Sequence, residues 1–340
     1  MAFKTATVQS GQVTGTHSDF PVYVDLSRLG ITTLAEAQSV RVYSDEAKTV
    51  ELPREIVSLS ECHVKVTSLS STTELFIDYD GVRSDYATTA TYGAENVWTN
   101  GYAAVYHMQE TSGSIIDSTG NGHDGTGVST MPNAIAGKVG GAQDFNGSSY
   151  IDTNDDFADG ASELTLSCWV KPDNFNLFNA MIMKHHGGTP RAWGFQLQTD
   201  GQIRFQLFYS NGSNSSLDSG SGFKAIAASW NYVTGTYDDA ANSRAVYLNG
   251  TQANTDSPTL GMQNDSSNVT LGAYENGANK LNGQMDEVRI ATAERTSNWI
   301  TTEYNNQNDE ATFWGTWTDA GGGGGGGAAQ AARRGAVMMM

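Results

Sequence analysis

The residues best placed to do chemistry lie in one short glycine-bent stretch, Asp117-Ser118-Thr119-Gly120-Asn121-Gly122-His123-Asp124-Gly125. Glycine lets a backbone turn sharply, so several side-chain and carbonyl oxygens can converge on one point. A hard cation such as calcium asks for that, taking about six to eight oxygen ligands. The same composition also builds an Asx-turn network that holds a loop without metal, and both readings stand. A second set consists of aromatic side chains beside Gly-, Asn- or Ser-rich segments: Trp193, Tyr209 and Tyr274. Aromatic faces stack on the C–H face of a sugar ring, and Asn276, in Tyr274-Glu275-Asn276-Gly277, can exchange hydrogen bonds with hydroxyls. Edge-strand or partner-contact roles are equally open for these four. Trp169 and Trp230 sit inside strand motifs and read as core. Lys184-His185-His186 reads as a solvated loop, because neighbours on a strand point to opposite faces and chelate one ion poorly.

Catalytic patterns are missing. A sandwich glycosidase needs two carboxylates facing one cleft, about 5–5.5 Å apart in the retaining case. Here Asp286-Glu287 are adjacent and expected to face opposite ways, while Asp155-Asp156 and Asp238-Asp239 sit in turn-like contexts. No Gly-X-Ser-X-Gly, His-Glu-X-X-His or phosphate-loop pattern occurs. The expectation is a non-catalytic protein, with glycoside hydrolysis the least favoured alternative. A formal charge of −18 repels nucleic acid and anionic membrane surfaces. No apolar span approaches the roughly 20 residues of a transmembrane helix, so membrane insertion is not expected. The first residues, Met1-Ala2-Phe3-Lys4-Thr5-Ala6-Thr7, lack a signal-peptide core. A place outside cells is then expected through release with a virion or through a lost leader. Cys62 and Cys168 lie far apart in strand-like runs and are expected to be buried thiols.

The elements that must carry these residues are strands. Charged residues make up only 16% of the chain and glycines number 38, a mix that suits short strands joined by turns. Period-two patterning marks Phe20–Leu26, Ser39–Tyr43, His63–Val66 and Glu74–Tyr79 in a first β-rich domain, residues 1–96. A larger domain, 97–318, holds strand candidates at 164–170, 193–198, 202–208, 232–237, 244–248, 268–272 and 285–290. Turn chemistry at Asp200-Gly201 and Asn249-Gly250 separates some of them. Many antiparallel strands without intervening helices mean a sandwich or jelly roll, so the fold class is all-β. One helix is expected near 297–306, with Ser297 as its N-cap. Residues 319–340, with seven consecutive glycines at 321–327, read as a flexible tail.

Two resemblances add to this. The order FPVYVDLS, VRVYSD, ELPREIVS and HVKVTSLSSTTELFIDYDG over about 3–81 resembles an uncharacterised β-domain family found in bacterial surface proteins and phage structural proteins. It departs at His63, where that family tends to have Trp, and at Asp78 and Asp80. The second domain carries VYHMQETSGSIIDSTGNGHDGT, GKVGGAQDFNGSSYIDT, LTLSCWVKPD, WNYVTGTYD, VYLNG, LGAY and NGQMDEVRI in order. It resembles the laminin-G-like, concanavalin A-like lectin/glucanase superfamily. That resemblance implies two packed antiparallel sheets and a structural calcium site between the early loop and the Asp of the MDEVRI strand. Carried over by motif, the ligands are Asp117, Asn121, the carbonyl of His123 and Asp286, with Asp124 as an extra candidate. It also implies glycan or host-surface polysaccharide as partner, the alternative being self-association or contact with other virion proteins as a fibre component.

Overall fold

The computed structural model describes residues 2–320; of the tail expected over 319–340, Asp319 instead ends the short strand Thr318–Asp319, and residues 321–340 lie outside the described residues. Nearly every element is an antiparallel strand, as the short alternating runs require. The larger unit is a sandwich. One sheet of eight strands runs Asn133–Ala136, Gly141–Asn146, Asn282–Ala291, Glu163–Pro172, Asn231–Asp238, Ser243–Leu248 and Thr251–Asp256, with Tyr102–Tyr106 also pairing to Asn282–Ala291. The facing sheet of seven runs Asn214–Asp218, Ile203–Phe208, Arg191–Leu197, Asn179–His185, Val269–Leu271, Tyr150–Asp152 and Thr126–Val128.

Alternation explains the core. Leu164, Leu166, Cys168 and Val170 of one strand point inward among Phe195, Phe205, Leu207, Val233 and Val246. Gly235 lies under that layer: a Cβ there would sit 3.0 Å from the Phe205 ring and 3.1 Å from Phe195, so a side chain would push the sheets apart. Cys168 and Cys62 are both buried and unpaired with each other.

The outer face of the eight-stranded sheet is covered as well. The helix Ser297–Asn308 lies on it, where Trp169 donates to Gln307 Oε1 at 2.6 Å and Tyr232 donates to Glu303 at 2.5 Å. Its N-cap is Thr296, one residue before the expected Ser297. A short second helix, Glu310–Trp314, comes next in the chain.

Residues 2–79, joined by Thr318–Asp319, form two small sheets, one of Thr318–Asp319, Ala2–Thr7, Glu74–Tyr79, Arg41–Tyr43 and Glu51–Leu52, the other of His17–Asp25, Glu61–Leu69 and Arg54–Ile56. Their shared core takes in Phe20, Val22, Val64 and Ile77 together with Trp299, Phe313, Trp314 and Trp317 from the far end of the chain. The C-terminal segment therefore packs on both units.

Candidate functional site

Each residue of the glycine-bent loop has a distinct place. Asp117 is 6% exposed, and both of its carboxylate oxygens accept hydrogen bonds. Oδ1 takes the Val105 N–H at 3.1 Å and the Thr119 N–H at 3.0 Å; Oδ2 takes the His123 N–H at 3.2 Å; the Thr119 hydroxyl lies 2.8 Å from each. Asn121 donates through Nδ2 to the carbonyls of Ala103 and Tyr102. The His123 carbonyl accepts the Tyr106 hydroxyl at 2.6 Å, and its imidazole stacks 3.9 Å from Phe157 and meets Asp155 at 2.6 Å. Asp124 accepts the Asp117 N–H at 2.8 Å. These are the bonds of an Asx-type network, with N–H and O–H donors where a cation would need bare lone pairs.

Asp286 is fully buried on the strand Asn282–Ala291, and its Oδ2 accepts the backbone N–H groups of Lys138 and Val139 at 2.7 and 2.8 Å. Burial and the neighbouring Glu287 charge push its carboxyl well above the ordinary range. The loop reaches this strand indirectly: Asp117 holds Val105, whose strand pairs with Arg289 of the Asp286 strand. Asp117 and Asp286 share no hydrogen-bond partner. As the donors stand, the four residues do not make a calcium cage.

Of the three stacking candidates and Asn276, Tyr274 and Asn276 share one turn, closed by the Tyr274 N–H to the Ala278 carbonyl at 2.9 Å. Trp193 is wholly buried, with its indole N–H on the Ala158 carbonyl at 2.9 Å, so neither ring face meets solvent. Tyr209 is 5% exposed, and its hydroxyl bonds to Ser215. Tyr274 is half-buried against His185, with its hydroxyl 2.7 Å from Gln196 Oε1. Asn276 is exposed and its Oδ1 accepts the Ala278 N–H at 3.0 Å, closing a local turn.

An open cleft of about 500 Å³ lies at the end of the sandwich near that turn. It is lined by Asn146, Asn174, Asn176, Asn179, Asn279 and Asn282, together with Gly147, Gly277, Lys280 and Leu177. Asn146 ends one strand and pairs in register with Asn282, which begins another. Asn179 forms the floor: its Nδ2 donates to the carbonyls of Asn174 and Leu177, and its Oδ1 accepts the Asn282 N–H at 3.1 Å. Among the described residues, the carboxamides of Asn176 and Asn282 have no protein partner. Leu177 is 71% exposed, an apolar side chain left beside the amides. Each carboxamide offers two donors and an acceptor without charge, which matches neighbouring hydroxyls on a sugar. Sequence reading missed this cleft because its asparagines come from separate segments of the chain, each of which alone looks like turn chemistry. The one dense signal is Asn174-Phe175-Asn176-Leu177-Phe178-Asn179.

A second polar group, Glu61, His63, His107 and Glu287, is buried where the two units meet.

Residues 145–301 match the family described as concanavalin A-like lectin/glucanases superfamily. The binding domain of Paraclostridial Mosquitocidal Protein 1 shares the fold at a TM-score of 0.50 and 16% identity, over 60% of this chain and 52% of that one. This chain thus spans about half the length of that domain. Domain 4 of AbnA, a GH43 extracellular arabinanase from Geobacillus stearothermophilus solved with arabinotriose, aligns at 0.46 and 22% identity, over 59% of this chain and 96% of that domain. The botulinum neurotoxin serotype G binding domain aligns at 0.46 and 14% identity, over 60% and 50% of the two chains. No curated protein sequence matches this chain.

Proposed function

With residues 145–301 a concanavalin A-like lectin/glucanase superfamily domain, we propose that the protein is a non-catalytic carbohydrate-binding or adhesive module of a virion or cell surface. The asparagine-lined cleft is its glycan site in this reading. The observation that carries it is the grouping of six asparagines around one open cleft with an exposed leucine beside them. Neutral amides bind hydroxyls without the desolvation cost of charges, and Leu177 can cover an apolar sugar face.

The test is retention on an array of glycans and host-surface polysaccharides. Replacing Asn176→Ala together with Leu177→Ala should weaken binding by roughly tenfold, the worth of one or two hydrogen bonds and a small apolar contact. Both side chains are exposed, so the melting temperature should stay put. Failure of the unaltered protein to bind any glycan on a broad array would sink the proposal, and ordered oligomers seen in the same preparation would select the fibre-component alternative. For calcium, the hydrogen bonds at Asp117 support a loop that stands without metal. Metal-stripped protein should keep its melting temperature when calcium is added, and a rise would restore the calcium reading.

A further inference from the structure

We propose that Glu61, His63, His107 and Glu287 form a closed site for one divalent first-row transition ion, with zinc as the fitting example, that pins the N-terminal unit to the sandwich. Glu61 and His63 stand two apart on the strand Glu61–Leu69 and so share a face. His107 comes just after the strand Tyr102–Tyr106, and Glu287 lies on Asn282–Ala291. All four are at most 3% exposed.

One ligand atom from each closes a ring of four contacts. Glu61 Oε1 lies 3.0 Å from His63 Nε2 and 3.3 Å from His107 Nδ1; Glu287 Oε1 lies 3.7 Å from His63 Nε2 and touches His107 Nδ1. The four atoms all fall within 4.8 Å of one another. A tetrahedral ion with arms of about 2.0–2.1 Å sets its ligand atoms about 3.3–3.4 Å apart, the scale of this ring. The two imidazoles lie stacked, centroids 4.6 Å apart, so capture of an ion requires the rings to tilt until both lone pairs meet it.

Three further observations point the same way. His107 turns its other nitrogen to Glu55 Oε2 at 3.1 Å, and that oxygen also accepts the Trp98 indole N–H at 2.6 Å. A carboxylate behind a histidine is the usual support of a metal-ligating imidazole. Glu61 Oε2, the second oxygen of a ligating carboxylate, is buried without a hydrogen-bond partner. Gly140 brings the loop 138–140 so close that a Cβ there would meet Glu61 Oε2 at 1.9 Å, so the loop covers that carboxylate. Four carboxylates, Glu55, Glu61, Asp286 and Glu287, gather around the two imidazoles, and the nearby Arg289 is engaged by Glu287 at 2.5 Å and by Glu303. Two imidazoles with two carboxylates suit zinc and its first-row neighbours, whereas calcium prefers oxygen alone.

The experiment uses the full chain, stripped of metal and then titrated with zinc, reading bound metal by elemental analysis and unfolding by calorimetry. Cobalt(II) serves as a spectroscopic probe of four-coordinate geometry. One zinc per chain and a melting temperature higher by several degrees are expected. His63→Gln and Glu61→Gln should each weaken zinc binding by at least about tenfold, with circular dichroism confirming that they fold, while exposed His186→Gln keeps it. If the unaltered folded protein retains no zinc and gains no stability from it, or if His63→Gln binds as well as the unaltered chain, the site is a proton-sharing network and the proposal falls.

Discussion

His185 shows how one side chain departs from its local appearance. Its sequence neighbours, a lysine before and His186-Gly187-Gly188 after, suggest a solvated loop. In the structure Lys184 is wholly buried and His185 is 5% exposed at the end of the strand Asn179–His185. Its ring sits 4.4 Å from Tyr274 and 5.0 Å edge-on to Phe208. Its Nδ1 accepts the Gly187 N–H at 2.7 Å, a bond that only an unprotonated nitrogen can accept. Burial first, and then the nearby Arg191 charge, lower its pKa to about 4. Unfolded histidine titrates near 6.5, so between those values the unfolded chain binds more protons than the folded one, and stability rises with pH. The contribution is whole above about 6.5 and is lost as pH falls through about 4, worth up to about 3 kcal/mol in all. Urea unfolding at stepped pH should show that slope, and His185→Gln should flatten it. An unchanged slope in the variant would mean that His185 is not held neutral.

At the scale of the element, the strand Asn282–Ala291 is the centre of the molecule, and its irregularity decides what its acidic residues can do. Strict alternation puts Asp286 and Glu287 on opposite faces. The strand instead carries an extra residue opposite Ser167–Trp169, and Glu287 sits at φ +48°. Met285, Val288 and Ile290 join the sandwich core, while Asp286 meets the 138–139 backbone and Glu287 meets His107. The bulge turns two consecutive carboxylates away from the core. A left-handed backbone strains any residue with a Cβ by about 1–2 kcal/mol. In zinc-free buffer, Glu287→Gly should therefore be more stable than Glu287→Ala by about 1 kcal/mol, although both lose the carboxylate. Denaturant midpoints decide the order, and alanine as the more stable variant would contradict a left-handed bulge. The same strand marks what was legible in the sequence. Met285-Asp286-Glu287-Val288-Arg289-Ile290 declares a strand, because the β-branched Val288 and Ile290 alternate with Glu287 and Arg289. Nothing declares the bulge, since neither Gly nor Asn occupies the left-handed position. Strands such as Asn214–Asp218 and Thr251–Asp256 were illegible because their residues are almost all polar, and Asn179–His185 because buried on both sides it loses its alternation. The cleft asparagines and the Glu61–His107 group meet only once separate segments are folded together.

At the scale of the whole molecule, the two units depend on one stretch near the chain's end. The helix Ser297–Asn308 has two working faces. One sets Trp299 against Phe20 at 4.5 Å and locks Asn306 onto the Tyr23 N–H and C=O at 2.6 and 3.0 Å. The other carries Ile300 into the cluster of Trp169 and Tyr232, and Glu303 onto Arg289. Beyond it, Phe313, Trp314 and Trp317 fill the N-terminal core, Arg28 pairs with Glu310, and Thr318–Asp319 adds a strand beside Ala2–Thr7. Without these aromatics the first unit has a core with a gap several large side chains wide, and burial of each such side chain is worth about 3–5 kcal/mol. That exceeds what a domain of this size holds in reserve. A fragment of residues 1–96 should thus lack a cooperative unfolding transition. The full chain should lose its secondary structure and its tryptophan burial together in one transition, with Trp314→Ala lowering that shared midpoint. Circular dichroism and tryptophan fluorescence followed in the same denaturant series would settle it. Two separated transitions, with the first insensitive to Trp314→Ala, would show that the units stand independently and that the C-terminal helices merely rest on them.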